Sequence, residues 1–221
     1  MKDTTAATNP LCQGLGRYLT PEQLHILRQA RIGIAGAGGL GSNAALMLAR
    51  SGVEHLTLVD HDVVDASNLN RQQYWPRHVG RSKVDALHEL LLELNPQMVV
   101  NRHRTYITAA SLPDLLPCCS IWVEALDNPE DKSLFVENAL LAGHRVASAS
   151  GMGGFGGAPM GRRKLGNLVL VGDFTTDILM APPLAPRVTE AAALLADAVL
   201  EMLLGPTQTP ESAGGAITST V

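Results

Sequence analysis

The sequence predicts an α/β fold: a Rossmann-like, mostly parallel open sheet with a mixed second half. Three observations lead there. Apolar β segments alternate with amphipathic helical segments along most of the 221 residues. The first of these strands, Arg31 to Ala35, runs directly into Gly36-Ala37-Gly38-Gly39-Leu40-Gly41, which opens a helix. Cys119 to Leu126, CSIWVEAL, is nearly continuous apolar β sequence, the pattern of a strand covered on both faces. The length suits one well-packed domain, placed at residues 1–204, and a tail over 205–221, rich in Thr, Ser, Pro and Gly, reads as disordered.

Residues 1–14 are small and polar and read as a loose segment or an arm that embraces a partner. Thr20-Pro21-Glu22-Gln23 starts a helix by three signs: Thr as N-cap, Pro at the first helical position, and Gln three residues after the cap. That helix runs from Pro21 to Ala30 and feeds the strand before the glycines. Gly36, Gly38 and Gly41 have separate jobs, because a tight turn, a close backbone approach to phosphate and a close helix–strand crossing each exclude a side chain at a different point. Phosphate meets such a helix at its N-terminus, where free N–H groups and the dipole favour negative charge. Asp60 ends the second strand, His55 to Val59, where a carboxylate can accept hydrogen bonds from two ribose hydroxyls. A ribose-phosphate ligand is therefore expected over residues 31–150, and the glycines alone leave NAD, FAD and ATP open.

About twenty polar residues follow, including Asp62, Asp65, Asn68, Asn70, Arg71 and Gln72, and long ordered loops at a sheet's carboxyl edge are usually functional. Gly80 to Leu94 is an amphipathic helix, apolar at Val84, Leu87, Leu91 and Leu94, and Asn95-Pro96 ends it. Lys83 falls in its first turn, where it opposes the macrodipole at a cost of a few tenths of a kcal/mol, roughly. Pointing at an α-phosphate explains that placement; an ordinary solvated lysine is the alternative. Met98 to Arg104 reads as the third strand and Ser111 to Leu116 as a short crossover helix. Asp127 ends the apolar strand. It either caps the helix Glu130 to Leu141 or faces the glycine turn across the sheet's switch point, placed to hold Mg²⁺.

Arg145 to Ser150 is a fifth strand. Gly151 to Gly161 holds six glycines in eleven residues, a flexible turn or room for an extended peptide. Arg162, Arg163 and Lys164 form the densest basic cluster, either solvated or a dock for an acidic protein. Leu168 to Asp173 is a further strand, Thr175 to Arg187 a proline-rich loop, and Val188 to Leu204 a closing amphipathic helix.

A net charge of -4 gives no electrostatic reason to expect nucleic acid. The first residues lack the apolar core of a signal peptide, and no window reaches the roughly 18 apolar residues of a membrane span, so a cytoplasmic protein is expected. Cys12, Cys118 and Cys119 form no Cys-x-x-Cys pair, which leaves neither a disulfide framework nor a four-cysteine zinc site. Cys12 lies in a segment with no evident anchor, and Cys118 and Cys119 fall at the buried start of a strand.

Asn68-Leu69-Asn70-Arg71-Gln72, then Gly80-Arg81-Ser82-Lys83, then Asp127-Asn128 after a later strand, together resemble the ThiF/MoeB/HesA family of sulfur-carrier-protein adenylyltransferases, which are related to ubiquitin-activating enzymes. The resemblance covers roughly residues 15–204 and is strongest to the short, zinc-free thiamine-thiazole branch. It implies that ATP adenylates the C-terminal Gly-Gly carboxylate of a small ubiquitin-like sulfur carrier protein, with release of pyrophosphate, in a homodimer. Implied roles follow. Arg71 and Lys83 neutralise phosphates, Asp127 holds Mg²⁺, Asp60 fixes the ribose, and Gly36, Gly38, Gly39 and Gly41 leave space for the nucleotide. Asp62, Asn68 and Asn128 complete the nucleotide site, and Arg17 reaches the other subunit's ATP; a lone surface arginine is its alternative. Lys132 stands where relatives often have Arg, and the loop Thr175 to Arg187 lacks the reactive cysteine that some carry. No general base is required, because the attacking carboxylate is already ionised near neutral pH.

Three other readings stay open. An NAD(H)-binding oxidoreductase or redox sensor uses the same glycines and Asp60, yet leaves Asn68, Arg71, Lys83 and Asp127 without a shared purpose. An enzyme adenylating a carboxylate on tRNA keeps the chemistry and changes the substrate. A scaffold binds a ubiquitin-like protein without turnover.

Overall fold

The computed structural model describes residues 9–177 and 180–207. Two short helices, α1 (Pro10–Leu15) and α2 (Pro21–Gln29), lead into β1 (Arg31–Ala35), α3 (Gly39–Arg50) and β2 (His55–Val59). A loop with two 3₁₀ turns precedes α4 (Lys83–Leu94) and β3 (Val99–His103). Then come α5 (Leu112–Leu115), β4 (Ile121–Glu124), α6 (Pro129–Leu141), β5 (Arg145–Ala149), β6 (Gly161–Leu165), β7 (Leu168–Gly172) and α7 (Ala185–Leu204). The strands form one sheet in the order β3-β2-β1-β4-β5-β7-β6, parallel throughout except for the β6–β7 pair. This is the expected Rossmann-like sheet with its mixed second half. Strand order reverses at β1, so the carboxyl ends of β1 and β4 open a crevice between their outgoing loops.

Helices cover both faces. On one side α2, α3, α4 and α7 bury Leu27, Leu48, Leu87 and Leu195 against Ile32, Ile34, Leu56 and Leu58. On the other, Trp122 and Phe135 meet edge-on at 5.3 Å within a smaller cluster. Gly33 is in the middle of β1 because of that indole: a Cβ there would lie 2.1 Å from the Trp122 ring. The Thr20 box forms as expected, with the Gln23 N–H on Thr20 Oγ1 at 3.2 Å and the Thr20 N–H on Gln23 Oε1 at 2.9 Å. No helix of the described residues is long and apolar enough to cross a membrane.

Four expectations change. Residues 9–15 are not loose, since Asn9 is buried, caps α1 and donates to Asn95 at the end of α4. Cys12 is consequently anchored, its thiol 3.6 Å from Glu54. Cys118 is exposed in a 3₁₀ turn rather than buried, while Cys119 is buried and its thiol is pushed up to about 11 by desolvation. The basic cluster Arg162, Arg163 and Lys164 is itself a strand, β6, and Arg162 pairs with Asp197 and Glu201 of α7. A polar strand without alternation is stable there because β7 supplies its hydrogen bonds and α7 its counter-charges. Finally, α7 begins at Ala185, which puts Arg187 inside the helix. The expected loose start over 1–8 and disordered tail beyond 207 fall outside the described residues.

Candidate active site

The glycine turn is built by close approach. Gly36 has a φ of 95°, and a Cβ on it would lie 2.6 Å from the Ala125 carbonyl oxygen. At Gly41 the same atom would lie 1.8 Å from the Gly36 oxygen, so the first turn of α3 can cross β1 this tightly only without a side chain. Gly38 is the N-cap of α3 and has no capping side chain. Nothing comes nearer to its missing Cβ than the Gln72 amide at 3.7 Å. The N–H groups of the first turn of a helix have no intrahelical acceptor, the arrangement that suits an anion.

Asp60 secures this turn from β2. One of its oxygens accepts the Ala37 N–H at 2.7 Å and the other the Asp62 N–H at 2.7 Å, with the side chain largely buried. Each oxygen keeps a further lone pair. Asp62 in turn accepts from the Lys83 ammonium at 2.7 Å, which holds the lysine, 7% exposed, at the cleft wall. Arg71 donates to Asn70 Oδ1 at 2.8 Å, and its backbone carbonyl accepts from Asn43 of α3 at 3.0 Å. The same Asn43 amide grips the Gly39 carbonyl at 2.6 Å, so one side chain ties the long loop to the helix of the glycine turn.

These groups converge on one cleft that opens to solvent. Of the residues singled out from the sequence, Gly36, Gly38, Gly39, Asp60, Asp62, Arg71, Lys83 and Asp127 line it. Gly41, Asn68 and Asn128 do not; they act from behind. Asn68 closes a capping box with Asp65, and Asn128 caps α6 by accepting the Glu130 N–H at 2.8 Å and the Asp131 N–H at 3.2 Å. Arg17 is exposed in the turn after α1 and lies outside the cleft of its own chain. Gln72, buried and lining the cleft, leaves its Oε1 without a hydrogen-bond partner among the described residues. His61 and Tyr106 stack at 3.4 Å between centroids on the same wall.

Cation sites can be weighed by chemistry. Asp60, His61 and Asp62 offer ligand atoms within 4.8 Å of one another, yet Asp60 is occupied by two N–H groups and Asp62 by Lys83. Asp127 and Asp131, both on the cleft at the start of α6, make no ion pair among the described residues. Carboxylates so placed beside a phosphate turn fit a hard, oxygen-seeking cation.

Sequence reading passed over two buried carboxylates. Glu124, at the end of β4, is fully buried and accepts the Leu126 N–H at 2.7 Å, the Ser148 hydroxyl at 2.6 Å and the Lys132 ammonium. Lys132 thus turns inward to Glu124. Asp173, just past β7, accepts the Thr175 and Thr176 N–H groups at 2.8 Å each, both threonine hydroxyls, and the Arg187 guanidinium. Arg187 also donates to the Gly156 carbonyl at 2.9 Å and the Ala158 carbonyl at 3.1 Å, so the glycine-rich loop is strapped to α7. Leu126, Thr175 and Thr176 are near neighbours in sequence, but Ser148 and Arg187 reach these carboxylates from other elements, which no local motif announces.

Fold and site together define a class: an α/β protein with a nucleotide-type phosphate turn and cations converging on it. A family model described as "ThiF family" matches residues 14–169, and the chain belongs to that family. The "Adenylyltransferase and sulfurtransferase uba4" of Aspergillus terreus is 43% identical over 143 residues, which are 62% of this chain and 30% of that protein. "Adenylyltransferase and sulfurtransferase MOCS3" of Culex quinquefasciatus is 35% identical over 127 residues, 57% of this chain and 29% of that protein. The chain therefore spans about 30% of the length of these curated relatives. Among solved structures, E. coli tRNA N6-threonylcarbamoyladenosine dehydratase, TcdA, in complex with ATP superposes with a TM-score of 0.79 at 21% identity, over 90% of this chain and 96% of that one. E. coli MccB with MccA-N7isoASN gives 0.69 at 23% identity, over 86% and 61%. These likenesses establish the fold.

The Asp173 strap gives a pH signature. Burial alone would raise its carboxyl; the hydrogen bonds from Thr176 and Thr175 outweigh that and hold it well below the usual range. A depressed folded value contributes stability that is fully present above the unfolded value, about 4, and is lost as pH falls below it. In urea unfolding, Asp173→Asn should be less stable than wild type at neutral pH, and the gap should shrink between about pH 5 and about pH 3. A gap of constant size over that range would show that the carboxylate charge has no part in the strap.

Proposed function

We propose that this chain is an adenylyltransferase: it uses ATP to activate the C-terminal Gly-Gly carboxylate of a small ubiquitin-like, ThiS-like sulfur carrier protein in thiamine-thiazole synthesis. A carboxylate oxygen attacks the α-phosphorus, the bond from that phosphorus to the pyrophosphate oxygen breaks, and acyl-adenylate and pyrophosphate result. One observation carries the reading. Arg71 and Lys83 meet Asp60 and Asp127 around the glycine turn in a single cleft, although they come from the β2–α4 loop, the start of α4 and the β4–α6 connection. Joining two anions needs neutralisation and alignment more than acid–base chemistry, and the cleft offers cations and N–H dipoles. A dehydrogenase has no use for that set. A tRNA substrate is disfavoured because Arg162, the inner member of the basic cluster, is already paired with Asp197 and Glu201.

In this reading Asp60 holds the ribose, Lys83 and Arg71 the phosphates, and Gln72 adds a hydrogen-bonding amide. Asp127, with Asp131, holds Mg²⁺, which supplies further charge neutralisation when bound. Two chains form a homodimer in which Arg17 reaches the neighbouring site. The curated relatives named adenylyltransferase and sulfurtransferase support the chemistry, and residues 14–169 are the part of the chain that the family describes.

Three measurements test this. Asp127→Ala should fold yet lower ATP–pyrophosphate exchange at least a hundredfold, on the order of 3 kcal/mol of lost stabilisation; undiminished exchange would remove Asp127 from the site. Calorimetry should find Mg-ATP bound at micromolar levels and NAD far more weakly, and the reverse order would restore the dehydrogenase reading. Sulfur chemistry belongs to a separate donor, since Cys119 is buried, Cys12 is held at Glu54, Cys118, though exposed, sits at the amino end of β4 away from the cleft, and residues 175–184 contain no cysteine. A Cys12/Cys118/Cys119 triple serine variant should keep exchange near the wild-type rate, and mass spectrometry with ATP and carrier should show no thiol-sensitive conjugate.

A further inference from the structure

One buried side chain that takes no part in lining the cleft ties its floor together. Tyr74, 5% exposed, has its hydroxyl 2.7 Å from the Ala37 carbonyl oxygen and 3.2 Å from that of Lys83. A phenol has a single proton, so the shorter contact takes most of the donation and the longer one shares it. Burial, reinforced by the Asp60 charge, pushes this phenol well above its ordinary value and keeps it a neutral donor.

Both carbonyls belong to residues already held from the other side. Ala37 gives its N–H to Asp60, Asp60 accepts the Asp62 N–H, and Asp62 holds the Lys83 ammonium. Tyr74 closes the ring, in the order Ala37, Asp60, Asp62, Lys83, Tyr74 and back to Ala37. Without the hydroxyl the ring opens where the glycine turn meets the start of α4, and two buried carbonyls lose a donor. The aromatic ring has a separate task, packing edge-on to His78 at 6.2 Å, which phenylalanine would also perform.

We propose that Tyr74 is a positioning residue whose hydroxyl sets the separation between the glycine turn and Lys83, so that the lysine meets the phosphates of a nucleotide seated on α3. The inference rests on the nucleotide reading of the cleft. Calorimetry on the full chain with ATP and with adenosine tests it. Tyr74→Phe should weaken ATP about five- to tenfold and leave adenosine unchanged, because adenosine has no phosphate for Lys83 to meet. A tyrosine that merely stabilises the fold would weaken both. In a Lys83→Met background the same substitution should add nothing to the loss of ATP affinity. Equal weakening of ATP and adenosine, an unchanged ATP affinity, full additivity with Lys83→Met, or failure of Tyr74→Phe to fold would each overturn the proposal. A wild-type protein that binds neither ligand would overturn the nucleotide reading and this inference with it, whereas an unchanged ATP affinity in Tyr74→Phe overturns this inference alone.

Discussion

Asp60 fixes the geometry from which the rest of the cleft follows. It ends β2, the strand next to β1, and reaches across to the peptide N–H of Ala37 in the turn that β1 enters. Its second oxygen takes the Asp62 N–H and so also sets where the long loop departs. A carboxylate largely removed from water is costly unless donors surround it, and here two backbone N–H groups at 2.7 Å are available before any ligand arrives. The donors are themselves groups that need partners, because neither lies within a helix or strand. Floor and loop thus satisfy each other, and the remaining lone pairs of Asp60 face the cleft.

The opposite wall rests on a second buried carboxylate with a different job. Asp173 gathers the start of the proline-rich loop and the first turn of α7, and Arg187 extends the grip to two carbonyls of the glycine-rich loop. Those loops contribute Met152 and Pro183 to the cleft, and α7 contributes Val188. A segment with so many glycines has high conformational entropy when free, and a bidentate cation anchored to a helix is an effective way to hold it. The glycines are therefore less a hinge than a thin wall. At Phe174 the chain even adopts a φ of 61°, a conformation held there by the dense bonding around Asp173 and by Arg163 stacked over its ring at 3.9 Å.

Much of this was legible in the sequence wherever one residue type does one local job. The glycine turn, Asp60 at a strand end, Lys83 in a first helical turn and Asp127 after an apolar strand are each defined by neighbours a few positions away. All four fall on the cleft. What escaped was pairing over distance: Asn43 with Arg71, Glu124 with Lys132, Asp173 with Arg187, Tyr74 with Ala37. Each partner alone looks like a surface polar residue or an ordinary core aromatic, and only the fold makes it a pair. Strand β6 was missed for a related reason, since Gly-Arg-Arg-Lys-Leu has no period-two pattern and owes its place to β7 and to the acids of α7.

The charges of the cleft bear on the proposed polyanionic ligand. Lys83 is paired with Asp62 and Lys132 is turned away to Glu124, whereas Arg71 donates only to the neutral oxygens of Ser67 and Asn70 among the described residues. The two pairs are not equivalent. Glu124 is fully buried, and removing its lysine would strand a carboxylate in the interior, whereas Asp62 is half exposed and can be left to water. Of these two lysines, Lys83 is therefore the one that can change partner. A phosphate at the N-terminus of α3 offers it more charge than Asp62 does and gains the free N–H groups of the turn as well. A neutral ligand would have to leave the Asp62–Lys83 pair intact and gain neither.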